Sequence, residues 1–157
     1  MCRIFGIFGE SEIDDRRMIL AAEAMKHGGP DQQRYAIGNG WALGNDRLAI
    51  QGVDGGDQPF THPSGITVVF NGEIYNHKSL RDQLRSKGFV FEDNCDGNII
   101  APMFMTYGSD FVRHLDGMFA IAIVDQRKQP TLHMFSDPAG IKSIYYHWDD
   151  AQRDRKS

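Results

Sequence analysis

The sequence predicts a layered α+β fold, and two observations lead to this class. Short runs rich in Ile, Val and aromatic residues recur along the 157 residues, and amphipathic helical segments lie between groups of them. Strands joined by polar turns pair antiparallel, and the helices between them then cover the sheets as further layers. The length is most simply that of one domain with a sizeable core.

The first half of the chain predicts one helix among strands. Cys2 to Phe8 is rich in Ile and Phe and predicts a strand, and residues 13–26 carry apolar side chains at the spacing of one helix face. The cluster His27 to Asp31 contains two Gly and one Pro, so it ends this helix. Further strands are predicted at 34–37, 41–43, 47–50 and 66–70, the last ending in an Asn71-Gly72 turn.

The second half predicts two helices and then strands. Asn76 is a suitable N-cap for a helix that Gly88 would end, and a second helix is predicted over about 98–107. Pro102 lies inside that second segment and should kink it or delay its start. Strands are predicted at 118–125, 131–135 and 144–147, and the charged tail 149–157 is expected to be disordered.

Composition argues against several classes of function. The net charge of −4 and the pI near 5.8 give no basic surface for nucleic acid. The longest apolar stretch, Met118 to Val124, is too short to cross a membrane. Two cysteines are too few for a disulfide framework, and the six His lack ligand spacing, so we expect no metal, no cofactor and a cytoplasmic protein.

Cys2 directly follows the initiator methionine, and its thiol has two possible roles. If Met1 is removed, Cys2 carries a free α-amine beside its thiol. A thiol needs a nearby base at neutral pH, and an α-amine titrates at about 7.7–8.0, so one residue would supply both nucleophile and base. Otherwise, Cys2 stands second by chance and packs as a small hydrophobe.

Asn71-Gly72 also has two readings. The Asn side-chain amide and the Gly backbone N–H are able to point at one oxygen, which is the outline of an oxyanion hole. The same dipeptide is common in ordinary turns. Neither this pair nor Cys2 decides the function alone.

The order of five motifs resembles the class II glutamine amidotransferases, which are N-terminal-nucleophile hydrolases, and most of all the glutaminase domain of asparagine synthetases. The motifs are Cys2, Arg47-Leu48-Ala49-Ile50 with Gln58-Pro59, Asn71 to Asn76, Leu115 to Ala120, and Asp137 to Tyr146. The resemblance covers the chain from Cys2 to about Tyr146. It implies a four-layer αββα sandwich of two antiparallel sheets for residues 1–148.

The resemblance also implies an activity, the hydrolysis of L-glutamine to glutamate and ammonia. Cys2 would attack the side-chain amide and form a thioester, with its own α-amine as base. Asn71 and Gly72 would stabilise the tetrahedral oxyanion.

The family's substrate-binding residues carry over in the same way. Arg47 would bind the substrate α-carboxylate, since a guanidinium matches that planar group. Glu73 and Asp96 would hold the α-ammonium, and the backbone of Ile50 would help to orient the substrate.

Several positions depart from the family pattern. The sequence has Gly28 where the pattern has Arg, Cys95-Asp96-Gly97-Asn98 where it has Ser-Asp-Thr-Glu, Ser136 where it has Arg, and Ser143 where it has Pro. These changes leave open a non-catalytic binding or docking module, and a weaker alternative is an N-terminal Cys hydrolase for another amide.

The expected ammonia acceptor is not in this sequence. Asparagine synthetases use ATP in a second domain with a Gly-rich phosphate loop, and no such loop occurs here. We therefore expect an asparagine-synthetase-like partner or a missing synthetase domain. The chain stops shortly after Tyr146, so we also expect the sandwich to lack the last strands of the family domain.

Overall fold

The computed structural model describes residues 2–10, 12–48 and 56–149. Its strands are β1 Arg3–Phe8, β2 Gln32–Gly38, β3 Trp41–Arg47, β4 Phe60–His62, β5 Ile66–Ile74, β6 Gly117–Asp125 and β7 Thr131–Ser136. Its α-helices are α1 Asp15–Met25, α2 His77–Ser86 and α3 Ile100–Tyr107. Short 3₁₀ segments lie at Lys26–Gly28, Asp96–Ile99 and Gly108–His114.

The strands form two antiparallel sheets. The smaller sheet has the order β1-β3-β2, and the larger has the order β4-β5-β6-β7. In the smaller sheet, Arg3 pairs with Asp46 at one end of β3 and Phe8 pairs with Trp41 at the other. In the larger sheet, β5 and β6 pair over nine residues each, from Ile66 opposite Asp125 to Ile74 opposite Gly117.

Two hydrophobic cores define four layers. One core lies between the sheets and consists of Trp41, Leu43, Val69, Ala122 and Val124. The second lies between the larger sheet and helices α2 and α3; its members include Val68, Phe70, Ile121, Leu80, Leu84, Ile100 and Met103. On the opposite side, Met18 and Ala22 of α1 are buried. The predicted αββα sandwich of two antiparallel sheets is therefore confirmed.

The helices agree with the sequence except in their details. The Asp14 side chain accepts a hydrogen bond from the Arg16 N–H and so caps α1. Asn76 does precede α2, but its side chain bonds the backbone of His114 and Asp116 instead of capping the helix. Pro102 falls in the first turn of α3, where a backbone N–H has no helical partner, so the α-helix starts at Ile100 without a break.

Two strand predictions were wrong in extent, and a third was wrong altogether. Residues 41–47 form one buried strand, because its polar residues are enclosed between layers and interrupt only the sequence pattern. Of the separate strand predicted at 47–50, Arg47 ends this strand, and residues 49–50 lie outside the described residues. Strand β5 runs through Asn71 and Gly72 to Ile74, so these two residues do not form a turn. Residues 144–147 form no strand; Tyr145 is 92% exposed, and an apolar run without a neighbouring strand to pair with stays irregular.

Candidate active site

A cavity of about 150 Å³ opens where the two sheets meet. The end of β3, the end of β5 and the residue before β1 all reach it. The lining consists of Cys2, Arg47, Leu48, Gly56, Gln58, Phe70, Asn71, Gly72, Glu73, Cys95, Asp96, Met118 and Lys142. A volume below the ~300–1,000 Å³ of pockets for drug-sized ligands suits a molecule of amino-acid size.

The Cys2 sulfur is fixed by the backbone that follows β3. Its Sγ lies 3.6 Å from the Leu48 carbonyl oxygen and 3.4 Å from the Leu48 nitrogen, whose N–H donates to it. Because β1 pairs with β3, the residue before β1 meets the residue after β3. The thiol is therefore held at one wall of the cavity by the register of the smaller sheet.

Asn71 faces the cavity because of its position in β5. Val69 packs in the core between the sheets, and side chains alternate along a strand, so Asn71 points to the same side as Val69. That side carries the smaller sheet and Cys2. Gly72 follows in close contact with β6, since a Cβ there would lie 2.0 Å from the Met118 carbonyl oxygen.

Gln58 supports β5 beside Asn71, and sequence reasoning gave it no role beyond its place in a motif. Strand β4 pairs with β5 only as far as Val68. At Phe70 the Gln58 side chain replaces β4 as the hydrogen-bonding partner of β5. It accepts from the Phe70 N–H at 2.6 Å and donates to the Phe70 carbonyl at 2.9 Å. Gln58 is buried and satisfies the Phe70 N–H, while the Phe70 carbonyl accepts from Gln58 and, at 3.5 Å, from Nδ2 of Asn45.

Arg47 brings a buried guanidinium to the cavity. Its side chain is 10% exposed, and Nη1 lies 3.4 Å from Oδ1 of Asp57. Asp57 was not singled out from the sequence, because a lone acidic residue in a Gly-rich segment carries no pattern. The geometry nevertheless makes it the nearest described carboxylate to this cation.

Glu73 and Asp96 bring carboxylates to the same cavity. Oδ2 of Asp96 accepts from the Ile74 N–H at 2.8 Å, and Oδ1 accepts from the Gly97 N–H at 3.0 Å. The backbone next to Asp96 is anchored from α2, since Nη2 of Arg81 donates to the Cys95 carbonyl at 2.8 Å. Asp96 is thus fixed both to β5 and to the helical layer.

Cys95 also lines the cavity, but its thiol is held in the neutral form. Burial raises its pKa to about 11; the charges of Asp96 and Asp93 add to this effect, and a Gly97 backbone hydrogen bond opposes it. Burial is thus a larger cause of the raised pKa than the neighbouring charge of Asp96. Cys95 is therefore a weak nucleophile at neutral pH.

Asp137 brings Lys142 to the cavity from the far end of the chain. Its carboxylate accepts from the N–H groups of Phe119, Ile141 and Lys142. Burial opposes ionisation of Asp137, but these hydrogen bonds outweigh it and hold the pKa below its ordinary value. The resulting turn places the buried Lys142 beside Met118, and sequence reasoning had assigned Lys142 no part in the site.

Six of the seven site residues predicted from the sequence line this one cavity: Cys2, Arg47, Asn71, Gly72, Glu73 and Asp96. The seventh, Ile50, lies outside the described residues. Their chemical roles remain predictions. Within the described ranges, no group of three or more His, Cys, Asp or Glu is placed to hold a metal ion.

Comparison with known proteins identifies the class. The sequence profile of the glutamine amidotransferase domain family matches residues 1–154. The fold is shared with the glutamine phosphoribosylpyrophosphate amidotransferase from B. subtilis, solved in complex with ADP and GMP. That match has a TM-score of 0.60 at 18% identity and covers 78% of this chain and 35% of the other. The chain belongs to the class II glutamine amidotransferases, with their N-terminal-nucleophile hydrolase fold.

Within that family, the chain is similar to asparagine synthetases. It is 36% identical over 152 residues to the glutamine-hydrolysing asparagine synthetase 3 of Arabidopsis thaliana, and 37% identical over the same length to that of Triphysaria versicolor. Both matches cover 94% of this chain. The chain spans about a quarter of the length of these relatives, 26% and 25% respectively.

Proposed function

We propose that this domain hydrolyses L-glutamine to glutamate and ammonia through a thioester on Cys2. One observation carries the proposal: a thiol, a guanidinium and two carboxylates surround a cavity of amino-acid size. Arg47 complements an α-carboxylate, and Glu73 with Asp96 complements an α-ammonium. Cys2 and Asn71 line the same cavity, so the side-chain amide of a bound α-amino acid shares that cavity with a thiol and an amide donor.

The proposed chemistry begins with Cys2 after removal of Met1. The α-amine takes the thiol proton while Sγ forms a bond to the side-chain amide carbon. The Asn71 amide and the Gly72 N–H donate to the oxygen that becomes negative. Collapse of this intermediate breaks the carbon–nitrogen bond, and the α-ammonium returns its proton to the departing ammonia.

Water then hydrolyses the γ-glutamyl thioester, which releases glutamate and restores the thiol. Every step is an acyl transfer between nucleophiles, so the chemistry needs no oxidant, reductant or cofactor. We propose that the ammonia passes to an ATP-dependent synthetase domain or partner, because the similar relatives are glutamine-hydrolysing asparagine synthetases about four times as long.

The departures from the family pattern do not leave gaps around the site. A Cβ on Gly97 would lie 2.5 Å from the ring of Phe60, so the surrounding side chains are packed for a glycine. Asn98 donates to Asp93, whose carboxylate also accepts from the Cys95 N–H. Asp96, which lies between Cys95 and Gly97, keeps its place in the cavity lining despite these changes, and this supports the enzyme over the non-catalytic docking module.

We further propose residues 1–148 as the glutaminase unit and the cytosol as its compartment. The compartment proposal rests on the small number of cysteines. No helix in the described part of the chain has the length and apolar character needed to cross a bilayer.

The test is glutamine turnover by purified protein whose intact mass shows that Met1 is absent. Glutamate and ammonia should form in equal amounts, and Cys2→Ala should abolish both products. Cys95→Ala is the matched control, since it removes the other thiol of the cavity and should retain turnover. Activity in Cys2→Ala, or in protein that retains Met1, would refute the mechanism. Absence of turnover in correctly processed wild type would instead favour the docking module.

A further inference from the structure

Asp57 is placed to interfere with the substrate-binding role proposed for Arg47. Its Oδ1 lies 3.4 Å from Nη1 of Arg47, while its Oδ2 lies 2.9 Å from Nη1 of Arg34. Nε2 of Gln32 also donates to Oδ1, at 3.1 Å. One carboxylate thus connects the guanidinium of the cavity with two side chains of the neighbouring strand β2.

The exposed fractions of these side chains indicate that Arg47 depends on a nearby anion more than Asp57 depends on Arg47. The Arg47 side chain is 10% exposed, whereas Asp57 is 51% exposed and Arg34 similarly so. A buried guanidinium requires a nearby anion, because removing its charge from water is costly. A half-exposed carboxylate has no comparable need, since water and its two β2 partners solvate it.

The distances indicate that Asp57 is bound more closely to β2 than to Arg47. Loss of the 3.4 Å contact would leave Asp57 with Arg34 and Gln32, so the carboxylate keeps two partners when Arg47 turns to another anion. Two carboxylates at one guanidinium repel each other, particularly where the cation is buried. An α-carboxylate that binds Arg47 must therefore replace Asp57 or share Arg47 with it.

We infer that Asp57 is a resident counter-ion of Arg47 that competes with the α-carboxylate of the substrate and so lowers the affinity for glutamine. This inference rests on the proposed function and extends it to a residue that sets specificity. Arg34 has the opposite effect, because it draws the Asp57 charge away from the cavity. Binding then consists of an exchange of carboxylates on one guanidinium.

The experiment compares steady-state kinetics of three variants with the wild type. Asp57→Asn keeps the size of the side chain and one acceptor oxygen but removes its charge. Its KM for L-glutamine should fall about two- to fivefold with little change in kcat, which corresponds to ~0.4–1 kcal/mol and lies within the range for a partly exposed ion pair. Arg34→Gln should raise KM, since Arg47 is then the nearest cation to Asp57 among its contacts, with Gln32 as a neutral partner. The double variant should match Asp57→Asn, because Arg34 acts only through the Asp57 charge.

Two controls separate this competition from a general effect of charge. Asp82→Asn removes the same charge from an exposed Arg85–Asp82 pair on α2 and should leave KM unchanged. L-glutamine α-amide lacks the competing carboxylate, so wild type and Asp57→Asn should bind it equally.

A higher KM in Asp57→Asn would overturn the inference, because Asp57 would then orient Arg47 for the substrate. Unchanged KM in both Asp57→Asn and Arg34→Gln would also overturn it. If the processed wild type does not turn over glutamine, the proposed hydrolysis fails on its own. Calorimetric affinities for L-glutamine of the same variants then decide the role of Asp57, and affinities that do not differ count against it.

Discussion

The guanidinium of Arg3 lies where a side chain on residue 28 would begin. A Cβ on Gly28 would be 2.7 Å from Cγ of Arg3, 2.8 Å from its Nε and 3.1 Å from its Cζ. The sequence lacks the arginine expected at position 28, and the structure fills that space from the residue next to Cys2. The departure at Gly28 is therefore matched by a side chain from a different part of the chain.

This relationship predicts strong coupling between the two positions. Gly28→Ala should destabilise the wild type, because the new methyl group overlaps the Arg3 side chain, and overpacking of this kind costs roughly 1–3 kcal/mol. In an Arg3→Ala background the same change should cost much less. Chemical unfolding of the four proteins of this double-mutant cycle measures the coupling energy. Equal costs of Gly28→Ala in both backgrounds would show that Arg3 does not occupy this space in solution.

Variants of Arg47 should affect mainly substrate binding, and variants of Asn71 should affect mainly the chemical step. Arg47→Ala should mainly raise KM, because it removes a contact present in both the ground state and the transition state. Asn71→Ala should mainly lower kcat, by about 10²–10³-fold, as for other oxyanion-hole donors. Steady-state glutaminase assays check both. If Asn71→Ala changed KM alone, the oxyanion role would be wrong.

The two thiols of the cavity should differ in reactivity. With a pKa of about 11, Cys95 is roughly one part in a thousand thiolate at pH 8. A glutamine analogue bearing a diazoketone should therefore label Cys2, and label it more slowly in Arg47→Ala, while Cys95 remains unmodified. Peptide mapping by mass spectrometry identifies the labelled residue. Modification of Cys95 before Cys2 would contradict this assignment.

Asp137 should contribute a pH-dependent part of the stability. Its folded-state pKa is lowered, so its contribution is fully present above the unfolded pKa of about 3.9 and is lost as the pH falls through the folded value. Asp137→Asn should cost about 2–3 kcal/mol at pH 7, since the N–H donors lose a charged acceptor. Urea unfolding at pH 7 and at pH 3 checks this, because the difference from wild type should shrink in acid. An equal difference at both pH values would exclude the charged carboxylate as the cause.

Gln58→Leu should reduce both stability and turnover. The variant leaves the Phe70 N–H without its side-chain partner, at a cost of about 1–3 kcal/mol, and leaves the Phe70 carbonyl with only the longer contact of 3.5 Å from Nδ2 of Asn45. Because Asn71 is the next residue along β5, kcat should fall while KM changes less. Gln83→Leu, which removes an exposed amide on α2 away from the cavity, is the control. A Gln58→Leu protein with normal kcat would show that β5 keeps its position without the hydrogen bonds from Gln58.

The sequence predicts best what depends on local pattern and on motif order. Cys2, Asn71 and Asp96 were found because each belongs to a short motif, and the helices around Met18 and Leu84 were found from their apolar spacing. The sandwich itself was implied only by the resemblance. The periodicity alone predicted a layered fold, but it did not predict the number of layers.

What the sequence did not reveal depends on pairing between distant segments. The contact between Cys2 and Leu48 follows from the register of β1 and β3. The hydrogen bonds from Gln58 to Phe70 follow from the point where the pairing of β4 with β5 ends. The proposed role of Asp57 depends on its contact with Arg34, which lies on β2. None of these contacts has a spacing that can be read along one stretch of chain.

The placement of Cys2 and Asn71 on different sheets has a consequence for evolution and engineering. The distance between the proposed nucleophile Cys2 and the proposed oxyanion donor Asn71 depends on the layer between the sheets, which Val69, Ala122 and Val124 help to fill. Under the proposed mechanism, changes of side-chain volume in this layer should act on kcat from positions that touch no substrate. The helix-side core reaches the cavity by a second route, because Phe70 belongs to that core and also lines the cavity, so side-chain volume in either core should act on the shape of the site.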